Sequence, residues 1–172
     1  MGVLLAEHLL KARCRRYIIF MRDRLVAGDH AMLDGAKATL AAAGVALEAV
    51  NLRFLPTDFE AISAAAEVLL EGAPRTGCIC RSETLARGVD HAADRLGRPR
   101  TKRPVIVVTD AARRLSSDSP YPCIEPTIAA EAWGASLGEM LIATARGERP
   151  KPFRLVIPVR LWISPQRKED AA

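Results

Sequence analysis

Short apolar runs typical of buried strands alternate along this chain with amphipathic stretches typical of helices, with a strand about every 30 residues. The predicted strands are residues 17–20, 50–54, 78–80, 105–108 and 155–163. Residues 105–108, Val-Ile-Val-Val, are apolar on both faces, as in the middle of a parallel sheet. The alternation predicts an α/β fold, in which a doubly wound, mainly parallel sheet is covered by helices on both faces.

The helices between these strands are predicted from the spacing of apolar residues and from the residues at their ends. The predicted helices are residues 2–12, 29–44, 57–72, 82–97 and 127–147. Their predicted starts are an N-cap at Asp29, Ser82 and Thr127 and a capping box at Thr57 and Glu60. Gly44, Gly97 and Gly147 are predicted to end three of them. Residues 111–125 contain Ser, Asp and two Pro and are predicted to be irregular.

The length and the apolar content indicate one ordinary soluble domain. The chain has 172 residues, of which 49% are hydrophobic and 5% aromatic, so its core is expected to consist mainly of aliphatic side chains. No apolar stretch is long enough to cross a membrane. Glu7, His8 and Lys11 interrupt the apolar N-terminal run, which is therefore unlike a signal peptide. We expect a cytoplasmic location and no membrane partner.

The net charge of +5 comes mainly from arginine and allows two interpretations. One is contact with nucleic acid or another polyanion. The other is that arginine is simply the usual surface cation of this chain. The second is favoured because the arginines are scattered, and the two densest runs, at residues 13–16 and 98–103, lie at the ends of predicted elements.

The residue patterns of common enzymes and metal sites are missing. Cys14, Cys78, Cys80 and Cys123 form no C-x-x-C pair, and the three histidines have no metal-ligand spacing, so no metal is expected. Cys80 and Arg87 resemble the loop of a cysteine phosphatase, but their spacing is one residue too long. There is no phosphate-binding loop, no dinucleotide fingerprint and no nucleophile elbow. The sequence therefore predicts a binding protein without catalytic residues or cofactor.

Polar residues follow three of the predicted strands at the point where each strand ends. These segments are Met21-Arg22-Asp23, Arg81-Ser82-Glu83 and Thr109-Asp110. Ligands of parallel sheets bind beyond the carboxyl ends of the strands, so the three segments are expected to share one functional edge. Ser82 and Glu83 also suit a purely structural role, as the N-cap and first-turn acid of a helix. The two roles are compatible, and both remain open.

Several segments resemble lactose-repressor-type (LacI/GalR) transcription regulators. In "TGCICRSETLARGVDHAADRLG", the family pattern is matched by Ser82, Glu83, Ala86, Gly88 and Gly97. The segments "LLAEHLLKARCRRYIIF", "GDHAMLDGAKATLAAAGV", "VIVVTDA", "WGASLGEMLIATARGE" and "LVIPVRLWISP" are similar to family segments that occur in the same order. Each match alone is weak, but together they cover about residues 3–165.

The resemblance implies a periplasmic-binding-protein-like type I fold, an αβα sandwich in each of two lobes. It implies that a small effector, often sugar- or nucleoside-like, binds between the lobes and alters how an N-terminal helix-turn-helix holds DNA, usually in a homodimer. We expect residues 3–165 to be a partial effector-binding domain, mostly the second lobe, and residues 166–172 to be a polar tail. The helix-turn-helix has no counterpart here, so this chain is not expected to contact DNA itself.

The resemblance also implies four effector-binding residues, namely Ser82, Glu83, Asp110 and Met32. The chain departs from the family pattern at three of them. Met32 stands where the family has an arginine that grips a polar effector group, and a thioether offers only an apolar wall. Glu83 replaces the usual aspartate, and Asp110 matches the family aspartate with a shift of about one residue.

Two functions remain possible at this point. In the first, the chain is the effector-sensing portion of a LacI-type regulator. In the second, it is a stand-alone dimerisation or protein-interaction module that has lost effector binding. Without the sheet that covers it in the family, the predicted helix 127–147 should expose Trp133, Leu137 and Leu141, as an interface does.

Overall fold

The computed structural model describes residues 1–55, 58–109, 119–148 and 156–163. Five α-helices and six strands lie along these residues, and they alternate up to β4. The helices are α1 (Gly2–Lys11), α2 (Ala27–Ala42), α3 (Phe59–Leu70), α4 (Glu83–Arg95) and α5 (Ala130–Ala145). The strands are β1 (Arg16–Arg22), β2 (Val50–Leu55), β3 (Thr76–Cys80), β4 (Val105–Val108), β5 (Cys123–Pro126) and β6 (Val159–Trp162).

The strands form one sheet in the order β2-β1-β3-β4-β5-β6. The pairs β1–β2, β1–β3, β3–β4 and β4–β5 are all parallel. Phe20 pairs with Cys80, and Cys80 pairs with Val108, so the strands β1, β3 and β4 end nearly level with one another. The predicted α/β class with a mainly parallel, doubly wound sheet is confirmed.

Alternate residues of each strand supply two separate layers of core, because successive side chains point to opposite faces. On one face, the strand residues Ile18, Phe20, Cys78, Cys80, Ile106 and Val108 form a buried cluster with side chains of α3 and α4. The helix residues of this cluster include Ile62, Ala66, Leu70, Leu85 and Val89. On the other face, α1 contacts β3 and β4, and α2 packs against α1. The helices therefore lie on both sides of the sheet, as the sequence predicts.

The chain divides into two compact units, Met1–Ile124 with Leu161–Ala172, and Glu125–Arg160. Within the second unit, the backbone N–H of Thr127 donates to the carbonyl of Pro158 at 3.0 Å, and Arg160 lies 3.0 Å from the Glu125 carboxylate. No residue of α5 is buried. Leu137 and Leu141 are exposed as predicted, and Leu141 is 70% exposed. Trp133 was also predicted to be exposed, but it is half-buried.

Two predicted N-caps are wrong, and a third lies outside the described residues. The N-cap of α2 is Val26, and Asp29 lies one turn later, where its carboxylate accepts from the Val26 N–H at 3.0 Å. The helix α5 begins at Ala130 instead of following Thr127, whose hydroxyl donates to the Pro158 carbonyl. The predicted cap Thr57 is not described, and Asp58 caps α3 by accepting from the Ala61 N–H at 2.9 Å.

Two strand predictions also need correction. Residues 111–125 were expected to be irregular, but Cys123–Pro126 forms β5 beside β4. This strand is short, follows Pro120 and Pro122 and ends at Pro126, so its sequence lacks the usual strand pattern. In the predicted strand 50–54, Val50, Leu52 and Phe54 alternate with polar residues, which predicts that all three lie on a buried face, but Phe54 is 48% exposed. The strand β2 lies at the edge of the sheet, where one flank has no neighbour to cover it.

All four thiols are buried, which makes their reactivity testable. Burial raises the pKa of Cys14 to about 11 and also raises the pKa of Cys78 and Cys80. Thiolate is the reactive form, so at pH 8 roughly one Cys14 thiol in a thousand is ready to react. We expect none of the four thiols to react rapidly with a chromogenic disulfide in the folded protein, and all four to react in guanidinium. Rapid reaction of one equivalent in the folded protein would contradict this packing.

Candidate functional site

The ends of β1, β3 and β4 lie side by side at the carboxyl edge of the sheet, within the first compact unit. Of the three predicted segments, Met21-Arg22-Asp23, Arg81-Ser82-Glu83 and the first residue of Thr109-Asp110 lie at these strand ends, so their described residues share one edge of the sheet. We call this region, formed by residues 22–29, 81–84 and 109, the carboxyl edge. It is the place where parallel sheets bind ligands.

Backbone and hydroxyl hydrogen bonds join the three strand ends. The N–H of Arg81 donates to the carbonyl of Phe20 at 2.9 Å, and the N–H of Thr109 donates to the carbonyl of Cys80 at 2.9 Å. The hydroxyl of Thr109, itself buried, donates to the carbonyl of Arg81 at 3.0 Å. The turn from β3 into α4 is therefore held on both sides, and the residues on it have a fixed position.

Ser82 is the N-cap of α4, as predicted. Its backbone is extended, with φ −146° and ψ 163°, and its hydroxyl oxygen accepts from the Leu85 N–H at 3.4 Å. The side chain is buried. The structural role of Ser82 is thus confirmed, while contact with an effector stays a prediction.

Glu83 is the first residue of α4, and one oxygen of its carboxylate, Oε1, is already engaged. The Arg87 guanidinium, one turn further along the helix, donates to Glu83 Oε1 from Nε at 2.9 Å and from Nη2 at 2.6 Å. The Glu83 side chain is 17% exposed and that of Arg87 is 61% exposed. A ligand hydroxyl that donated to Glu83 Oε1 would therefore compete with Arg87.

An ion pair between Arg81 and Asp29 joins α2 to the turn between β3 and α4. Arg81 Nε donates to Asp29 Oδ1 at 2.5 Å, and Asp29 Oδ2 accepts from the Val26 N–H. The Asp29 side chain is 9% exposed and the Arg81 side chain 30%. The sequence places the two residues 52 positions apart, and Asp29 was interpreted only as a cap. The sequence offered only one indication of this ion pair, namely that Asp29 and Arg81 lie near the starts of two predicted helices at the same edge of the sheet.

The other two predicted site residues have different outcomes. Met32 lies on α2 one turn after Asp29, and it is 2% exposed. Met32 and Asp29 lie on the same helix, α2, whose first turn is at the carboxyl edge. The Met32 side chain itself is buried and is not exposed at this edge. Asp110 lies outside the described residues. The roles of both in effector binding remain predictions.

A second polar group fixes the outer side of α4. Arg103 donates to the carboxylate of Asp90 at 2.7 Å and to that of Asp94 at 2.5 Å, and the Tyr121 hydroxyl donates to Asp90 at 3.1 Å. The hydrogen bond from Arg103 lowers the pKa of Asp94. These contacts link α4 to the segments before β4 and β5. They hold in place the helix whose N-terminus forms part of the carboxyl edge.

Two negative findings concern only the part of the chain that the structure describes. Within it, no helix is both long and apolar enough to span a membrane. Within the same residues, no group of three or more His, Cys, Asp or Glu side chains is placed to hold a metal ion.

Solved transcription regulators share this architecture. A LacI-family transcriptional regulator from Burkholderia phymatum is similar with a TM-score of 0.67 and 24% identity, over 95% of this chain and 60% of that one. A LacI-family regulator from Enterococcus faecium with bound ribose is similar with a TM-score of 0.71 and 18% identity, over 94% and 59%. The chain has the fold of LacI-family regulators. The complex of the transcriptional regulator CelR with cellobiose is also similar, with a TM-score of 0.73 and 20% identity, over 94% and 50%.

The similarity to these regulators lies in the fold, since the sequence identities are only 18–24%. The chain spans about 50–60% of the length of the solved chains it matches. No protein-family model matches the sequence. No curated protein matches it either.

Proposed function

We propose that this chain is the effector-sensing portion of a LacI-type transcription regulator and that its carboxyl edge forms one wall of a site for a small sugar-like metabolite. In this proposal, ligand binding controls a DNA-binding helix-turn-helix that is not among these 172 residues. The regulator acts as a homodimer in the cytoplasm, and residues 3–165 supply mainly the second lobe of its sensor.

The observation that carries the proposal is the way the carboxyl edge is built. Three parallel strands end together, and Arg81 and Thr109 hydrogen bonds join their ends. A preorganised edge of this kind lowers the entropy lost when a ligand binds. Two solved neighbours of the same fold hold ribose and cellobiose, which supports a sugar-like ligand class. The alternative of an interaction module without effector binding gains no support from these neighbours.

The proposal predicts that a ligand stabilises the folded chain. A sugar present at 100 times its Kd should raise the free energy of unfolding by about 2.7 kcal/mol. The measurement is thermal unfolding of the 172-residue chain with a panel of neutral sugars and nucleosides, with light scattering recorded in parallel. Stabilisation by one member and not by its close isomers is the expected result.

Two variants locate that stabilisation. Ser82→Ala removes a hydroxyl from the carboxyl edge and should reduce the ligand-induced shift. Glu71→Gln alters an exposed acid at the end of α3. In a parallel α/β fold this helix end lies at the opposite, amino edge of the sheet, so Glu71→Gln is the matched control and should keep the full shift. If every sugar leaves both proteins unchanged, the sensing proposal is wrong for this chain.

A further inference from the structure

The excess positive charge of the chain lies at the amino edge of the sheet. We use this name for the four segments that lead into β1, β2, β3 and β4, namely residues 11–16, 44–49, 71–76 and 97–104. Together they contain nine of the 25 Lys and Arg residues and only two of the 20 Asp and Glu residues. The net charge of the whole chain is +5, so the rest of the chain is slightly acidic.

Folding brings these segments together, although they are far apart in the sequence. The sequence favoured ordinary surface charge for the two densest arginine runs, because both lie at the ends of predicted elements. In the structure, Arg16 pairs with Thr76, the Arg15 N–H donates to the Arg75 carbonyl at 3.1 Å, and β4 pairs with β3 from its first residue. Neighbouring strands lie about 4.8 Å apart, so both runs and Arg75 belong to one surface.

Five cations of the amino edge are exposed and have no partner within the fold. They are Lys11, Arg13, Arg15, Arg75 and Lys102. Among the residues that the structure describes, no carboxylate forms an ion pair with any of these side chains. The two acids of this edge, Glu48 and Glu71, are therefore not their partners. Each of the five is free to bind an anion from outside the chain.

Stability of the fold accounts for some cations of this edge but not for others. Arg16 and Arg98 donate to the last carbonyls of α3 at 2.9 and 2.7 Å, which completes the end of that helix. Lys11 lies in the last turn of α1, where the helix dipole favours a cation. Neither reason applies to Arg15 and Arg75, which lie outside the helices on hydrogen-bonded neighbouring segments. Like charges on neighbouring segments repel, and a bound anion removes this repulsion.

Arg13 shows that a cation is kept here where another residue would suit the backbone better. Its φ angle is 55°, which among the described residues places it alone with glycines in the left-handed region. It occupies the second position after α1. The same position after α2, α3 and α4 is held by Gly44, Gly72 and Gly97, with φ angles of 77°, 62° and 57°. Glycine suits this position because it has no Cβ atom, and a residue that stores such strain is typical of a functional surface.

The composition of the amino edge indicates the kind of partner that it fits. None of the large exposed hydrophobic residues of the described chain lies in its four segments, so it has no apolar anchor for a membrane or for a protein interface. The segments contain no aromatic residue, so unpaired bases have nothing on which to stack. Most of the free cations are arginines, whose guanidinium groups match the spacing of two phosphate oxygens. A regular array of phosphates fits this surface best.

We propose that the amino edge binds the phosphate backbone of double-stranded DNA without reading its sequence. Duplex DNA carries one negative charge per about 1.7 Å of its axis, so several phosphates lie within reach of one surface of this size. The resemblance to LacI-type regulators assigns DNA contact to the helix-turn-helix, and the amino edge is a second, separate contact. The choice of DNA as the source of the phosphates rests on the proposed function, which keeps this chain beside DNA.

The test is a titration of short fluorescent DNA duplexes with the 172-residue chain, followed by anisotropy at several salt concentrations. Two duplexes of unrelated sequence should bind equally well, because phosphate contacts carry no sequence information. The logarithm of the binding constant should fall with the logarithm of the salt concentration by about 0.9 for each neutralised phosphate, and thus by up to about 4.5 for the five free cations.

Three variants locate the contact. Arg15→Gln/Arg75→Gln should weaken binding of both duplexes alike and reduce the salt slope by about 2. The matched control Lys37→Gln/Arg53→Gln removes the same charge from exposed positions on α2 and β2 and should keep nearly the whole slope. Arg13→Gly should weaken DNA binding and also raise the midpoint of chemical denaturation, because glycine suits the left-handed backbone. A purely structural role of Arg13 would not produce these opposite changes.

Three results would overturn this inference. They are no DNA binding at low salt, equal losses in Arg15→Gln/Arg75→Gln and its control, and displacement of the duplex by polyglutamate at an equal concentration of charge. The last result would assign the surface to an acidic protein. Thermal unfolding with sugars tests the sensing function separately. If a sugar stabilises a chain that binds no DNA, only the DNA contact is wrong. If DNA binds as expected and no sugar stabilises the chain, only the sensing function is wrong.

Discussion

Gly88→Val should lower the free energy of unfolding by about 3 kcal/mol, because overpacking a closed helix contact forces neighbouring atoms apart. Gly88 is buried on α4, and a Cβ atom built there would collide with Cγ2 of Ile62 and lie 3.0 Å from its Cβ. Ile62 is fully buried on α3, so it has no free space into which to move. The measurement is chemical denaturation followed by circular dichroism.

A pair of further variants tests this explanation of the Gly88 contact. Ile62→Ala alone should cost about 2–5 kcal/mol because it leaves a cavity in the core. Combined with Gly88→Val, it should cost clearly less than the two single effects together, since the valine fills that cavity. Gly28→Ala, where no atom lies within 4 Å of the added methyl group, should be neutral or slightly stabilising. Strict additivity would show that α3 and α4 do not touch here.

Arg81→Met alone should also cost about 3 kcal/mol at neutral pH, because it leaves the Asp29 carboxylate, 9% exposed, without its cation. The value is at the low end for a broken buried pair, since Arg81 itself is 30% exposed. The loss should appear in equilibrium denaturation of the unliganded chain.

The double variant Arg81→Met/Asp29→Asn should be more stable than Arg81→Met, because the asparagine carries no charge and its oxygen still accepts from the Val26 N–H. This order of stabilities shows whether Arg81→Met destabilises the fold by leaving the Asp29 charge unpaired or by removing packing contacts, because packing lost at position 81 would not be restored by the asparagine. An Arg81→Met protein within about 0.5 kcal/mol of the original chain would contradict the ion pair, as surface substitutions usually stay in that range.

The fold could be predicted from the sequence because its strongest signals are local. Gly44, Gly97 and Gly147 have positive φ angles of 77°, 57° and 78°, and each stands at the predicted end of a helix. The four-residue apolar run of β4 has the same bounds in the sequence and in the structure. The start of α2 was less predictable, because an acid serves equally well as an N-cap or in the first helical turn.

The candidate site was predicted only in part, because its decisive contacts are not local. Ser82 and Glu83 could be recognised from one junction of strand and helix. The Arg81–Asp29 pair and the occupation of Glu83 by Arg87 depend on which side chains meet after folding. In the sequence alone, Asp29, Glu83 and Arg87 could equally be solvated residues on a helix surface. The sequence thus predicts the edge of the sheet at which a ligand is expected, and the structure adds which of the described polar groups there already pair with one another.

The most direct test of the account is to map a ligand onto the chain by two-dimensional NMR. The ligand is the one that gives the largest stabilisation in the thermal unfolding panel above, added to saturation. The account predicts that the largest shifts occur at the backbone N–H groups of Ser82, Glu83 and Thr109 and at the Nε–H of Arg81. The N–H groups of Arg15 and Thr76, at the amino edge, should not move. Shifts confined to the amino edge or to α5, or none at millimolar ligand, would contradict a sensing site at the carboxyl edge.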